Sequence, residues 1–73
     1  MNGSPVVVDC RGMKCPRPII ELARRLAGLR VGETVELLAD DPAAAPDVAA
    51  WCRMRGQRLV LSEPPRFRVV RTR

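Results

Sequence analysis

Val6-Val7-Val8-Asp9-Cys10-Arg11-Gly12-Met13-Lys14-Cys15-Pro16-Arg17-Pro18-Ile19-Ile20 sets out a strand, a loop and a helix entrance in one run. Three consecutive valines are β-branched and suit a largely buried central strand, which is expected over Pro5–Cys10. Arg11-Gly12-Met13-Lys14 follows as a loop, and Gly12 can take a backbone conformation that other residues resist. Pro is welcome at the first helical position, where the N–H it lacks would have no partner. Pro16 therefore reads as the first helical residue and Cys15 as the cap before it. From Pro16 to Leu29, the residues Ile19, Leu22, Ala23, Leu26 and Leu29 recur at three- and four-residue spacing and define one helix face. Glu21 and Arg25 form an i,i+4 pair of the favourable polarity away from that face.

Working outward, Thr34–Asp40 reads as a second strand, with Val35, Leu37 and Ala39 alternating against Thr34, Glu36 and Leu38. Asp40-Asp41-Pro42 stops it. A second helix ends near Arg55, and Gly56 is suited to a left-handed C-terminal cap. Its start has two readings: Asp41 caps with Pro42 first, or a turn runs to Pro46. Arg58–Ser62 and Arg66–Arg71 are a third and fourth strand joined through Pro64-Pro65. The order β-α-β-α-β-β predicts a parallel first pair and a closing antiparallel hairpin. The expected fold is a two-layer α/β sandwich, a mixed four-stranded sheet with both helices on one face. A single domain spans residues 1–73, with Met1–Ser4 as a loose start.

Composition narrows the function classes. The chain has 73 residues, 47% of them hydrophobic, so it is globular, but it is too small for a deep cofactor pocket. Trp51 and Phe67 are its only aromatic residues, so aliphatic side chains must fill the core. A net charge of +5 favours acidic partners. An odd cysteine count, three, fits a reducing compartment better than a disulfide scaffold, and the chain has no histidine. The apolar run Val6–Val8 is too short for a signal peptide, and no stretch approaches the ~20 apolar residues of a membrane helix. A cytoplasmic protein without membrane contact is the expectation.

Cys15 is the candidate reactive group. A helix N-terminus favours an anion, and cysteines there beside cations have lowered pKa values. Lys14 and Arg17 flank the residue and Arg11 lies close in sequence. Pro16 and Pro18 lack N–H groups, so only the Arg17 N–H is left to bond the sulfur, and a modest thiolate stabilisation is expected. With no histidine, a Cys-His dyad is excluded, as is the commonest zinc ligand. Cys10, Cys15 and Cys52 would lack a fourth ligand, so no metal and no cofactor is expected. What remains is chemistry needing only a nucleophilic sulfur: thiol exchange, or carriage of sulfur as a persulfide.

The other polar and sulfur residues have simpler readings beside functional ones. Cys10 ends a strand as a small hydrophobe or serves as a resolving thiol for Cys15. Cys52 and Trp51 lie on the apolar side of the second helix and read as core or edge packing. Asp9 is a surface carboxylate or orients the loop around Gly12. Asp40 and Asp41 look like turn and cap residues. Alternation puts Arg66 and Arg68 on one sheet face and Arg71 and Arg73 on the other. They read as solvated, edge-protecting side chains, or as a docking surface for an acidic partner.

The stretch Asp9-Cys10-Arg11-Gly12-Met13-Lys14-Cys15-Pro16-Arg17-Pro18 resembles the signature of the TusA family of sulfur carriers, also called SirA-like. Asp40-Asp41-Pro42, Asp47 and Trp51-Cys52 resemble the family's second-helix region, and the likeness covers Val6 to about Val70. It implies the same sandwich. It also implies that Cys15, in a Cys-Pro-x-Pro motif supported by Asp9, Gly12, Pro16 and Pro18, takes sulfane sulfur from a donor protein and passes it on. Donors in the family are cysteine desulfurases and rhodanese-type proteins. Acceptors are sulfurtransferases serving tRNA thiolation, cofactor maturation or sulfur metabolism. Arg11, Lys14 and Arg17 would steer acidic partners and favour the anionic sulfur. Cys10 departs from the apolar or small residue usual at its place. Two other classes compete: a small basic nucleic-acid-binding module, disfavoured by the scarcity of aromatics, and a thiol redox protein using Cys15 with Cys10.

Overall fold

The valine run pairs as expected. A computed structural model describes residues 4–73, so the loose start proposed for Met1–Ser4 lies outside the described residues except for exposed Ser4. The elements are β1 (Val6–Asp9), α1 (Arg17–Ala27), β2 (Thr34–Leu38), α2 (Ala44–Arg55), β3 (Arg58–Glu63) and β4 (Arg66–Val70). They form one mixed sheet in the order β1-β2-β4-β3. β1 and β2 are parallel, with Val8 opposite Leu37. β4 runs antiparallel to both β2 and β3.

Alternation along the strands makes the core. Val8, Val35, Leu37, Phe67 and Val69 point to one face, where Leu22 and Leu26 of α1 and Val48 and Cys52 of α2 meet them. No polar or charged side chain is buried among the described residues. On the open face Glu36 sits between two arginines, with Arg68 Nε at 2.6 Å and Arg66 Nε at 3.6 Å. Arg71 faces the other way and donates to the main-chain oxygens of Ala27, the last residue of α1, and of Leu29 just beyond it. The arginines thus divide between faces as the alternation predicts. However, β4 is an inner strand, so Arg66 and Arg68 guard no edge.

Differences from the sequence expectation lie at the element ends. α1 stops at Ala27, because the Gly28 and Leu29 N–H groups close back on Arg25 and Leu26 three residues earlier. Glu21 pairs with Arg24 at 3.4 Å rather than with Arg25. α2 begins at neither expected place. Asp41 bends the chain by accepting from the Ala43 N–H, and the helix starts at Ala44. Pro46 then falls in its first turn, where an N–H is not required. A register shift between Leu59 and Leu61 bulges β3 around Val60.

Candidate functional site

The loop from β1 to α1 is held by carboxylates from the end of β2. Cys10 continues the β1–β2 ladder through its N–H to Leu38 O at 2.7 Å. The chain turns there, with the Met13 N–H on Cys10 O and Gly12 at φ 85, a left-handed value natural to glycine. The Gly12 N–H donates to Asp40 Oδ1 at 2.9 Å. The Cys15 N–H donates to Asp41 Oδ2 at 3.2 Å, while Asp41 Oδ1 takes the Ala43 N–H at 2.8 Å. Asp41 therefore ties the entrances of both helices together. These main-chain donors, Ala43 before Cys15, hold its carboxyl below the usual carboxylate range.

Cys15 sits one position further out than the spacing suggests. The helix starts at Arg17, Pro16 occupies the cap position, and the Cys15–Pro16 peptide is cis. The Arg17 N–H turns back to Lys14 O at 3.0 Å, so it does not serve the sulfur. Pro18 at the second helical position is buried and anchors the entrance against the core. The sulfur is half-buried beside the first turn of α2, which supplies Asp47.

The electrostatics reverse the expected sign. Burial first, then hydrogen bonding to the Asp47 carboxylate, and then the charges of Asp47 and Asp41 push the Cys15 thiol up to about 11. Modest thiolate stabilisation is therefore not found, because the cations act elsewhere. Arg11 forks onto Asp9, with Nε to Oδ1 at 2.9 Å and Nη2 to Oδ2 at 2.7 Å. The Arg11 N–H adds a third contact to Asp9, and the pair holds the Asp9 carboxyl down to about 2. Asp9 thus shapes the start of the loop through Arg11, while Gly12 is held by Asp40. Lys14 acts on Asp41, and Arg17 on Cys10.

Cys10 and Cys52 are core residues at 1% and 3% exposure. Burial pushes both thiols up, Cys52 to about 11. No disulfide joins the three cysteines. Beside Cys15, a groove of about 290 Å³ runs between the helices, lined by Pro16, Ile19, Asp47, Trp51 and Met54. Met54, 77% exposed, forms its outer lip. Neither this groove nor the placement of Asp47 at the thiol was readable from the residue pattern. Asp47 is remote from Cys15 along the chain and reaches it only because α1 packs on α2.

This arrangement can present one sulfur to another protein beside an apolar seat. The profile described as Sulfurtransferase TusA matches residues 6–72.

The chain belongs to the TusA sulfurtransferase family.

Two relatives from Archaeoglobus fulgidus are each named "Putative sulfur carrier protein". One is 44% identical over 55 residues, covering 75% of this chain and 75% of the relative. The other is 43% identical over 53 residues, covering 73% and 69%. The Bacillus subtilis "Putative sulfur carrier protein YrkF" is 32% identical over 63 residues, 86% of this chain but 34% of that protein. This TusA-family chain therefore corresponds to about a third of the Bacillus protein.

Asp47→Asn tests the electrostatic reading. The amide keeps the shape but removes a charge that favours the protonated thiol, so the Cys15 pKa should fall. One unit corresponds to about tenfold more thiolate at neutral pH. Iodoacetamide labelling of Cys15 at fixed pH should accelerate about three- to tenfold. An unchanged rate would remove Asp47 from the account.

Proposed function

We propose that this TusA-family chain is a sulfur carrier whose cargo rides as a persulfide on Cys15. The observation that carries the reading is exposure: of three cysteines, only Cys15 can be reached from outside. The Cys15 thiolate attacks the outer sulfur of a donor persulfide. A new S–S bond forms as the donor's own S–S bond breaks, and the donor cysteine leaves as a thiolate. An acceptor nucleophile then takes the outer sulfur, and Cys15 leaves as a thiolate in turn. No net oxidation of the carrier occurs. Donors of the cysteine desulfurase or rhodanese type and acceptor sulfurtransferases fit this chemistry.

The raised thiol pKa gives the cycle a resting state. Alone, Cys15 is protonated and slow to react. Burial contributes most to that resting state, and the Asp47 and Asp41 carboxylates add to it. A donor that docks with a cation against them removes their share and favours the thiolate where its target waits. The apolar groove beside the sulfur supplies a seat for such a partner. The leaving group benefits less from this environment, so release of sulfur also belongs to the docked state.

Nucleic-acid binding gains little support. Base-stacking platforms need exposed aromatic faces, whereas Phe67 is fully buried and Trp51 half-buried. A redox pair of Cys15 with Cys10 would need the buried Cys10 thiol to come within reach. The test of the carrier reading is incubation of the full chain with a cysteine desulfurase and cysteine. The Cys15 peptide should become heavier by one sulfur atom, reversibly with reductant.

A further inference from the structure

The C-terminal ends of both helices hold a second, differently built cleft. Arg11, Arg24, Arg66 and Arg68 pair with carboxylates. Arg55, Arg71 and Arg73 instead line an open cleft of about 340 Å³ whose lining includes no Asp or Glu side chain. Its floor is apolar, from Ala23 and Leu26 of α1, and the Trp51 indole forms a wall. The volume lies within the range of about 300–1,000 Å³ typical of small-molecule sites.

The three guanidiniums do not have the same duty. Arg71 is committed to structure: Nη1 donates to Ala27 O at 3.2 Å and to Leu29 O, and Nε donates to Arg73 O at 3.1 Å. It thereby answers carbonyls left open at the end of α1. Among the described residues, the guanidiniums of Arg55 and Arg73 take part in none of the ion pairs. Arg73 is nevertheless placed. The Thr72 N–H donates to Gln57 Oε1 at 2.7 Å, and the Thr72 hydroxyl bonds to Gly56 O. The Arg73 side chain then crosses Gly56, where an added Cβ would stand 2.9 Å from its Cδ. Gly56, at φ 72, thus both ends α2 and leaves room for this arginine.

Guanidinium forks pair well with carboxylates and phosphates, and an apolar floor beside an indole suits a flat hydrocarbon body. We propose that this cleft binds a small organic anion. Its carboxylate or phosphate head lies on Arg55 and Arg73, and its apolar body lies against Trp51 and Leu26. Trp51 also lines the groove beside Cys15, so the ligand would share a wall with the sulfur site. The proposal is independent of the carrier reading, because neither arginine belongs to the Cys15 site.

Trp51 is the only tryptophan, so its indole N–H gives one resolved signal in a nitrogen-15 correlation spectrum of the full chain. We would titrate with 2-naphthoate, 2-naphthyl phosphate and neutral 2-naphthamide. The expected result is a saturable Trp51 shift with at least one anion, and binding of the neutral amide at least about tenfold weaker. Whichever anion binds more tightly identifies the head group. Arg55→Gln and Arg73→Gln should each weaken the anion about threefold or more, leave the amide unaffected and leave sulfur loading of Cys15 intact. No saturation with either anion, equal binding of the amide, or unchanged affinity in both variants would reduce the cleft to an adventitious apolar contact and overturn the proposal.

Discussion

Cys15→Ser should abolish sulfur loading, with the adduct falling to background in a mass measurement after incubation with a desulfurase and cysteine. Cys10→Ser and Cys52→Ser should still load wherever they fold. The asymmetry comes from access. A thiol must approach the donor persulfide in line, and Cys10 and Cys52 are sealed within the core at 1% and 3% exposure. Cys15 stands at the meeting of the two helix entrances, with the groove of Ile19, Trp51 and Met54 beside it. A serine there keeps the N–H bond to Asp41, so loss of loading would not come from loss of the loop. Loading that persists in Cys15→Ser and disappears in Cys10→Ser would move the cargo to the strand end and refute the assignment.

Phe67→Ala should cost about 3–5 kcal/mol, the cost of emptying an aromatic core position. Phe67 is fully buried and is the largest such side chain among the described residues. It lies on the inner strand β4, opposite Leu37 on β2 and Ser62 on β3. A domain of this length has a stability of roughly 4–11 kcal/mol, from about 0.05–0.15 kcal/mol per residue. The substitution therefore removes a large share of it. At about 4–8 °C per kcal/mol, the melting temperature followed by circular dichroism should fall by at least about 12 °C. The site should suffer with the core, because β2 leads directly into Asp40 and Asp41. A fall of under about 4 °C would contradict the central placement of this ring.

Much of the fold was legible because periodicity reports burial directly. The alternation of Val35 and Leu37, the valine run of β1 and the stripe of Leu22 and Leu26 each lead to the observed layers. Element ends were less legible, because they depend on tertiary hydrogen bonds. The start of α2 rests on Asp41 accepting from Ala43, a choice that Pro42 and Pro46 leave open. That Cys15 lies beside the helix entrance was readable from its prolines, though Pro16, not Cys15, takes the cap position. The charge around it was not, because counting neighbours along the chain finds Lys14, Arg17 and Arg11 and misses Asp47. Arg11 is held by Asp9 two residues before it, and Asp47 arrives through helix packing. Sequence neighbours supplied the cations, and folding supplied the anions that reach the sulfur.

The central claim is that this half-buried but reachable sulfur rests in its neutral form, held there first by burial and then by the Asp47 and Asp41 carboxylates that a partner would relieve. Alkylation of the isolated wild-type chain from pH 7 to 10, quantified on the Cys15 peptide, tests it most directly. The account predicts a rate that keeps climbing about tenfold per pH unit with no plateau, as a thiol titrating at about 11 requires. A plateau with its midpoint at or below about 8.5, the value of an unperturbed cysteine, would contradict it.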